Sequence, residues 1–251
     1  MYALRFFLLF HLLSCLGQNA LGSEIINGML VPENSMQFMA SLQANNKHVC
    51  GGFLVSEDFV MTAAHCDKSN VTRVVIGTHN LKNADNGIIR EIEQRCIYPS
   101  YKEPALGHDI MLLKLSKKAR PSNTVKMIKV SKINNNIKNM EKCEVAGWGW
   151  TESDYHPVDA LRKVDVPIIN FKDCKKQWKK VLPDNVICAG GHGTCKGFCK
   201  GDSGGPLVCK GMAVGVVSFN KDCNPNMPNV YTDISKYLRW INGILKKKKC
   251  K

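Results

Sequence analysis

Twelve cysteines in a chain of 251 residues limit this protein more than any other feature. Thiols at that density persist as disulfides in an oxidising compartment and are out of place in a reduced cytosol. They also imply a chain cross-linked into short, loop-connected elements. With 44% hydrophobic and 22% charged residues, there is ample apolar material for a core. Collagen-like repeats, coiled coil and wholesale disorder are therefore excluded. The length fits one large β or α/β domain, or two units of ~100 residues each.

The N-terminus agrees with export. Arg5 and the amino terminus precede an apolar run at 6–16, too short to cross the ~30 Å hydrocarbon core of a bilayer as a helix. Small residues Ala20 and Gly22 follow at the spacing a signal peptidase reads. A signal peptide is expected over 1–22, leaving Ser23-Glu24 before Ile25. No later stretch is apolar enough to span a membrane.

Past Ile25, short β-like runs recur at 38–42, 59–62, 73–76, 88–92, 110–115, 145–147, 207–208 and 213–219, bounded by Gly, Pro, Asn or charged turns. That pattern predicts a sandwich or barrels. The polar, Asn-rich stretch at 131–142 reads as a linker between two similar β units. Ile234, Leu238, Ile241 and Leu245 recur at three-to-four-residue spacing. They predict an amphipathic C-terminal helix ending in lysines 246–249, cations suited to the negative end of its dipole.

Three separated segments carry chemistry: Thr62-Ala63-Ala64-His65-Cys66, Asp109-Ile110-Met111-Leu112-Leu113 and Gly201-Asp202-Ser203-Gly204-Gly205-Pro206. A serine hydroxyl is a weak nucleophile until an imidazole removes its proton. That imidazole needs a buried carboxylate to fix its tautomer and stabilise its cation. His, Asp, Ser is one of the known chain orders for this constellation. The glycines around Ser203 let a carbonyl oxygen approach backbone N–H groups closely.

On these motifs the sequence resembles the trypsin/chymotrypsin-fold serine proteases over 25–249. Cys50-Gly51-Gly52-Phe53-Leu54, Ala146-Gly147-Trp148-Gly149 and the Ser23-Glu24 remnant resemble the granule-stored granzymes and mast-cell chymases. The resemblance implies an all-β fold: two six-stranded antiparallel β-barrels with a C-terminal α-helix. The first barrel would span about 25–130, the linker about 131–140, the second barrel about 141–234 and the helix about 235–249. It also implies His65 as general base, Asp109 as its orienter and Ser203 as nucleophile. The N–H groups of Gly201 and Ser203 would form the oxyanion hole, and Ser218 would help hold the aspartate.

The same likeness implies that a freed Ile25 amino group pairs with Asp202. Glu24, rather than Arg or Lys, precedes Ile25, so removal of Ser23-Glu24 by a dipeptidyl peptidase is expected instead of self-activation. The implied disulfides are Cys50–Cys66, Cys143–Cys209, Cys174–Cys188 and Cys199–Cys223. Cys15 leaves with the signal peptide. Cys96, Cys195 and Cys250 remain open between free, intramolecular and intermolecular states, with a monomer expected over a disulfide-linked dimer. His48, His79, His108, His156 and His192 show no metal-like spacing and are read as surface or packing residues; His108 stands where the family usually has Asn.

The substrate pocket would be lined by Gly197, Phe198, Lys200, Ser218, Phe219, Asn220 and Asn229. Gly197 lacks the carboxylate that binds Lys or Arg, and Asn229 lacks the cation that binds Asp. Asn220 and Asn229 thicken both walls, which resembles the elastase arrangement and favours small or medium uncharged P1 residues. Two alternatives stay open: the asparagine amides bind a polar P1 side chain, or Phe198 fills the pocket and activity is weak.

Thr78 replaces a carboxylate of the trypsin-type calcium loop, so neither metal nor cofactor is expected. The net charge is +14 and stays so without residues 1–24, which hold one Arg and one Glu. Basic clusters at 117–120, 175–180 and 246–249 suit sulfated proteoglycan. Serpin-type inhibitors are a second implied partner, and no nucleic-acid recognition motif is present. Asn70-Val71-Thr72 is an N-glycosylation acceptor. Secretion after storage in granules follows from the likeness. Two other readings are a catalytically weak cationic binding or antimicrobial protein on the same fold, and a digestive elastase-like protease.

Overall fold

The computed structural model describes residue 25 and residues 28–131, 137–150, 156–179, 182–191, 193–224 and 226–250. The signal peptide, the Ser23-Glu24 remnant, His192 and the centre of the expected linker lie outside the described residues.

Six antiparallel strands close the first barrel in the order β2 (Met39–Ala44), β3 (Lys47–Leu54), β4 (Phe59–Thr62), β7 (Met111–Leu115), β6 (Ile88–Ile97) and β5 (Arg73–Ile76). The second ring runs β9 (Lys142–Gly147), β10 (Arg162–Ile169), β11 (Val186–Ala189), β14 (Asn229–Asp233), β13 (Met212–Phe219) and β12 (Pro206–Cys209), closing through β12–β9 and β9–β10. Closure removes the exposed edges that an open sheet would present for aggregation. Two short strands attach outside the rings. β1 (Met29–Leu30) pairs with β10, so the start of the chain crosses to the second barrel, and β8 (Lys129–Val130) pairs in parallel with β13. Two helices follow, α1 (Phe171–Trp178) and α2 (Leu238–Lys247).

α1 was not foreseen, although its signals are present. Asn170 caps it by accepting from the Lys172 N–H at 2.8 Å, and Asp173 sits in its first turn. α2 continues a 3-10 turn over Ile234–Tyr237. Its buried Ile241 and Ile244 join the first barrel's core, together with Ile234 and Tyr237. Burying each isoleucine contributes roughly 1.5–3 kcal/mol, so a helix that leaves the second barrel locks onto the first.

Five disulfides appear among the described residues: Cys50–Cys66, Cys143–Cys209, Cys174–Cys188, Cys199–Cys223 and Cys96–Cys250. The last joins two of the three cysteines that had no implied partner. It ties the end of α2 to β6 across 154 residues of sequence, and the Cys250 N–H donates to Gln94 Oε1 at 3.0 Å. A Cys96→Ser/Cys250→Ser variant should lose about 2–4 kcal/mol of unfolding free energy in urea titrations. The cost stays below that of an unconstrained loop of this length because other bridges already restrict the unfolded chain.

Candidate active site

His65 lies at the start of a 3-10 turn (Ala64–Ser69) that follows β4. Asp109 precedes β7, the partner strand of β4. This pairing brings the carboxylate beneath the turn. Its Oδ1 accepts the His65 backbone N–H at 2.9 Å, and its Oδ2 accepts from His65 Nδ1 at 2.7 Å. The Asp109 side chain is fully buried, whereas His65 is 22% exposed. Donation from Nδ1 fixes the tautomer and leaves Nε2 with its lone pair.

The second barrel supplies a further donor, Ser218 Oγ, at 2.6 Å from Asp109 Oδ2. Ser218 is the extra residue of a β-bulge, because Val217 pairs with Tyr231 and Phe219 with Val230. Such bulges re-aim one side chain out of the ladder. Thr232 Oγ1, also from the second barrel, donates to the Asp109 carbonyl at 2.8 Å. Asp109 thus sits at the seam of the two barrels, held from both sides.

Ser203 is carried by a turn pinned to the first barrel. The Gly51 N–H donates to the Ser203 carbonyl at 2.8 Å, and Thr62 Oγ1 donates to the Gly51 carbonyl at 2.8 Å. Gly201 has φ +94° and Gly204 φ +84°, backbone states that disfavour any side chain. A Cβ on Gly204 would run into Thr62 Oγ1 and the Gly51 carbonyl, and one on Gly201 would meet Gly149 Cα at 2.9 Å.

His48, expected as a surface or packing residue, takes the packing role in a specific form. His48 is buried, and its Nδ1 lies 2.8 Å from Ser41 Oγ while its Nε2 lies 2.9 Å from the Gly201 carbonyl. Burial pushes this imidazole down to about 4. It is therefore a neutral strut behind the Gly201 loop at physiological pH. Spacing in sequence gave no hint of this, because the contact spans 153 residues.

Asp202 is fully buried. The Gly149 N–H donates to Oδ1 at 2.8 Å and the Cys199 N–H to Oδ2 at 2.9 Å. In the uncut chain the Ile25 nitrogen is an amide and cannot neutralise the carboxylate. Burial pushes it up to about 7, opposed in part by those two N–H donors. Ile25 is itself fully buried, in the cluster that contains Phe198 and Tyr231.

The pocket residues converge on one peptide. Asn229 Oδ1 accepts the Phe198 N–H at 2.9 Å, and Asn220 Nδ2 donates to the Phe198 carbonyl at 2.6 Å. Asn229 Nδ2 donates to the Met227 carbonyl at 3.2 Å, and Asn220 Oδ1 accepts the Cys223 N–H at 3.2 Å. Asn229 is only 1% exposed. Its amide is thus engaged with backbone instead of awaiting a polar ligand. A Cβ on Gly197 would meet Asn229 Oδ1 at 2.5 Å, so that asparagine lies directly against the glycine. The Phe198 ring is buried edge-on to Tyr231, with centroids 5.2 Å apart. It is part of the second barrel's core. Lys200 is exposed, with Nζ 4.7 Å from the centre of the Trp150 ring.

Cys50, His65 and Cys66 form the metal-like grouping among the described residues, but the two cysteines are bonded to each other and offer no thiolate. Thr78 Oγ1 donates to the Asn80 carbonyl at 3.1 Å. Asn70 and Thr72 are both exposed, and Asn70 ends the turn that carries His65. His108 stacks on Tyr98 at 5.2 Å, and the His79 carbonyl accepts from Trp148 Nε1 at 3.0 Å. No helix among the described residues is long and apolar enough to cross a membrane.

The model of the Trypsin family matches residues 25–241. Mast cell protease 3 of Ovis aries is 37% identical over 248 residues, covering 97% of each chain. Duodenase-1 of Bos taurus is 36% identical, covering 96% of this chain and 97% of its own. Granzyme B(G,H) of Mus musculus is 38% identical over 89% of this chain and 92% of its own. Among solved structures, mouse brain neuropsin, a serine protease, superposes with a TM-score of 0.78 at 31% identity, covering 87% of this chain and 98% of that one. By sequence, by fold and by the meeting of His65 with a buried Asp109 at the barrel seam, this chain belongs to the trypsin family of serine proteases.

Proposed function

We propose that the chain hydrolyses peptide bonds through an acyl-enzyme, with His65, Asp109 and Ser203 as its triad and the Gly201 and Ser203 N–H groups as its oxyanion hole. The observation that carries this reading is the buried Asp109 carboxylate, which accepts from the backbone N–H and the ring Nδ1 of His65 and from Ser218 Oγ. Nδ1 is thereby held as a donor, and Nε2 is left to take the Ser203 proton and later return it to the leaving amine.

P1 is a small or medium uncharged residue. The Asn220 and Asn229 side chains occupy the two walls and grip the Phe198 peptide between them, and nothing charged stands at Gly197. Asn229→Gly should admit larger P1 side chains and raise the ratio of aromatic to small P1 cleavage by about 10–100-fold, within the range of a changed pocket contact. The deciding experiment is a P1 profile on a peptide library, using protein that begins at Ile25 beside its Ser203→Ala control. Cleavage after small or medium uncharged residues, lost in the control, supports the reading. Strong cleavage after Lys, Arg or Asp overturns the pocket assignment, and no turnover overturns the catalytic one.

The relatives' names, mast cell protease and granzyme, support a secreted enzyme held in granules before release. In that setting it is a monomer, glycosylated at Asn70, met by serpin-type inhibitors and bound to sulfated proteoglycan through its +14 charge.

A further inference from the structure

His108, the residue before Asp109, stands in the left-handed region at φ +60°. That state is uncommon outside glycine and persists where the surroundings enforce it. The His108 carbonyl accepts the Ile110 N–H at 2.8 Å, closing a three-residue turn with Asp109 at its apex. The direction in which the Asp109 side chain leaves the main chain therefore depends on the backbone of His108. Three separate elements hold the imidazole. Tyr98, just past β6, stacks on it with ring centroids 5.2 Å apart and planes 14° from parallel, and the Tyr98 N–H donates to the Ile110 carbonyl at 3.2 Å. Asn185, just before β11, places Nδ2 3.1 Å from His108 Nδ1. Tyr237, in the turn before α2, places its hydroxyl 3.2 Å from the same nitrogen and accepts from Asn185 Nδ2. Tyr237 and Trp240 meet the Tyr98 ring edge-on, at 4.8 and 5.4 Å. Gly107 has φ +82°, and a Cβ there would run into the Asn185 amide. The Cys96–Cys250 bridge fastens the chain beyond α2 to β6, two residues before Tyr98.

We infer that His108 is a positioning residue for Asp109: the clamped imidazole holds the left-handed backbone that aims the carboxylate at His65. The inference rests on the triad reading above and extends it by one residue. An orienting carboxylate works only while it keeps the imidazole in the right tautomer, and misplacing a reacting group by about 1 Å costs on the order of 100-fold in rate. The bonds of Asp109 to His65 and Ser218 fix where its carboxylate ends. The clamp on His108 fixes where that side chain starts. His108 acts at a distance from the chemistry, because its ring faces Tyr98, Asn185 and Tyr237. Asparagine, the family's usual residue there, tolerates the left-handed backbone by itself but has no ring to stack on Tyr98.

The test is steady-state kinetics on the protein that begins at Ile25, beside the low-field proton resonance of the His65 Nδ1–H, which reports its bond to the Asp109 carboxylate. His108→Ala should lower kcat by roughly 10–100-fold, leave KM near that of the unaltered protein, and shift or broaden the resonance. His108→Asn should recover most of the kcat, because asparagine tolerates the same turn. Tyr237→Phe removes one hydroxyl and keeps the ring packed. It should lower kcat several-fold with the same change in the resonance, and it carries the test if His108→Ala does not fold. A purely stabilising role would lower the urea midpoint of these variants and leave kcat and the resonance unchanged, which overturns the inference. A rise in KM at constant kcat places His108 in the substrate groove and overturns it as well. Absence of turnover in the unaltered protein overturns the triad reading itself, while the resonance still reports whether His65 and Asp109 meet.

Discussion

Ser203→Ala should lower kcat on a peptide substrate by about a million-fold while leaving peptide binding nearly unchanged. In the proposed mechanism its hydroxyl is the group that forms the acyl bond. Asp109→Asn should cost on the order of 10⁴-fold for a different reason. The amide that replaces the carboxylate cannot accept on both oxygens, so it loses either the His65 N–H at 2.9 Å or the pair of donors, His65 Nδ1 and Ser218 Oγ, at 2.7 and 2.6 Å. Loss of the Nδ1 contact flips the imidazole tautomer and removes the lone pair from Nε2. Ser218→Ala keeps the tautomer and deletes one hydrogen bond to a charged group, about 1.5–3 kcal/mol if fully lost. It should therefore fall far short of the Asp109 effect. Stopped-flow burst measurements on the three variants separate these cases. A residual burst in Ser203→Ala would remove Ser203 from the nucleophile role, and Asp109→Asn retaining a tenth of wild-type kcat would remove Asp109 from the orienting one.

The segments around His65, Asp109 and Ser203 stand out in sequence because each carries its own local pattern, and the structure brings His65 and Asp109 together. The glycines flanking Ser203 are demanded by positive φ and by contact with Thr62 and Gly51. Of the first barrel's strands, β4 and β7 were the most readable, with every residue buried at 59–62 and 111–113, whereas β3, which starts in Lys47-His48 and carries Gly51-Gly52, was missed. β10 was missed because its buried Val164 and Val166 alternate with half-buried Lys163, Asp165 and Pro167, which dilute the apolar signal. α1 was missed for a similar reason, since lysines surround its Phe171, Cys174 and Trp178 stripe. The Phe198 ring was expected as bulk beside the pocket floor. Its place against Tyr231 depends on β14, a strand that begins some thirty residues later. The His48 strut and the Cys96–Cys250 bridge share that origin. Each joins residues more than 150 positions apart, so neither has a local pattern to read.

Freeing Ile25 should reverse the pH dependence of stability as well as switch on activity. In the uncut chain no cation pairs with Asp202 among the described residues, and burial pushes its carboxyl from the ordinary 3.8 up to about 7. Between those two values the folded chain holds a proton that the unfolded chain has released. Stability is therefore fully present below about pH 4 and is lost as pH rises towards 7. The total is about 4 kcal/mol at 1.36 kcal/mol per unit. In the proposed pairing, the Ile25 ammonium takes the place of that proton once residues 1–24 are gone. The carboxylate then stays ionised, its contribution is lost only in acid, and a second loss comes in base as the amine titrates. Urea denaturation of the Ser203→Ala protein in both forms, at pH 4.5, 6.0 and 7.5, measures this without autolysis. The carboxylates and histidines beyond Ile25 are common to both forms and cancel in the difference, while the uncut form adds only His11 and Glu24. Across that range the uncut form should fall by a few kcal/mol relative to the freed form. In the Ser203 protein, the uncut chain should be at least about a thousandfold less active, because an uncompensated buried charge costs several kcal/mol and the loop of Gly201 and Ser203 rearranges to avoid it. Parallel stability curves for the two forms would show that Ile25 and Asp202 do not pair, and full activity in the uncut chain would show that the oxyanion loop does not depend on them.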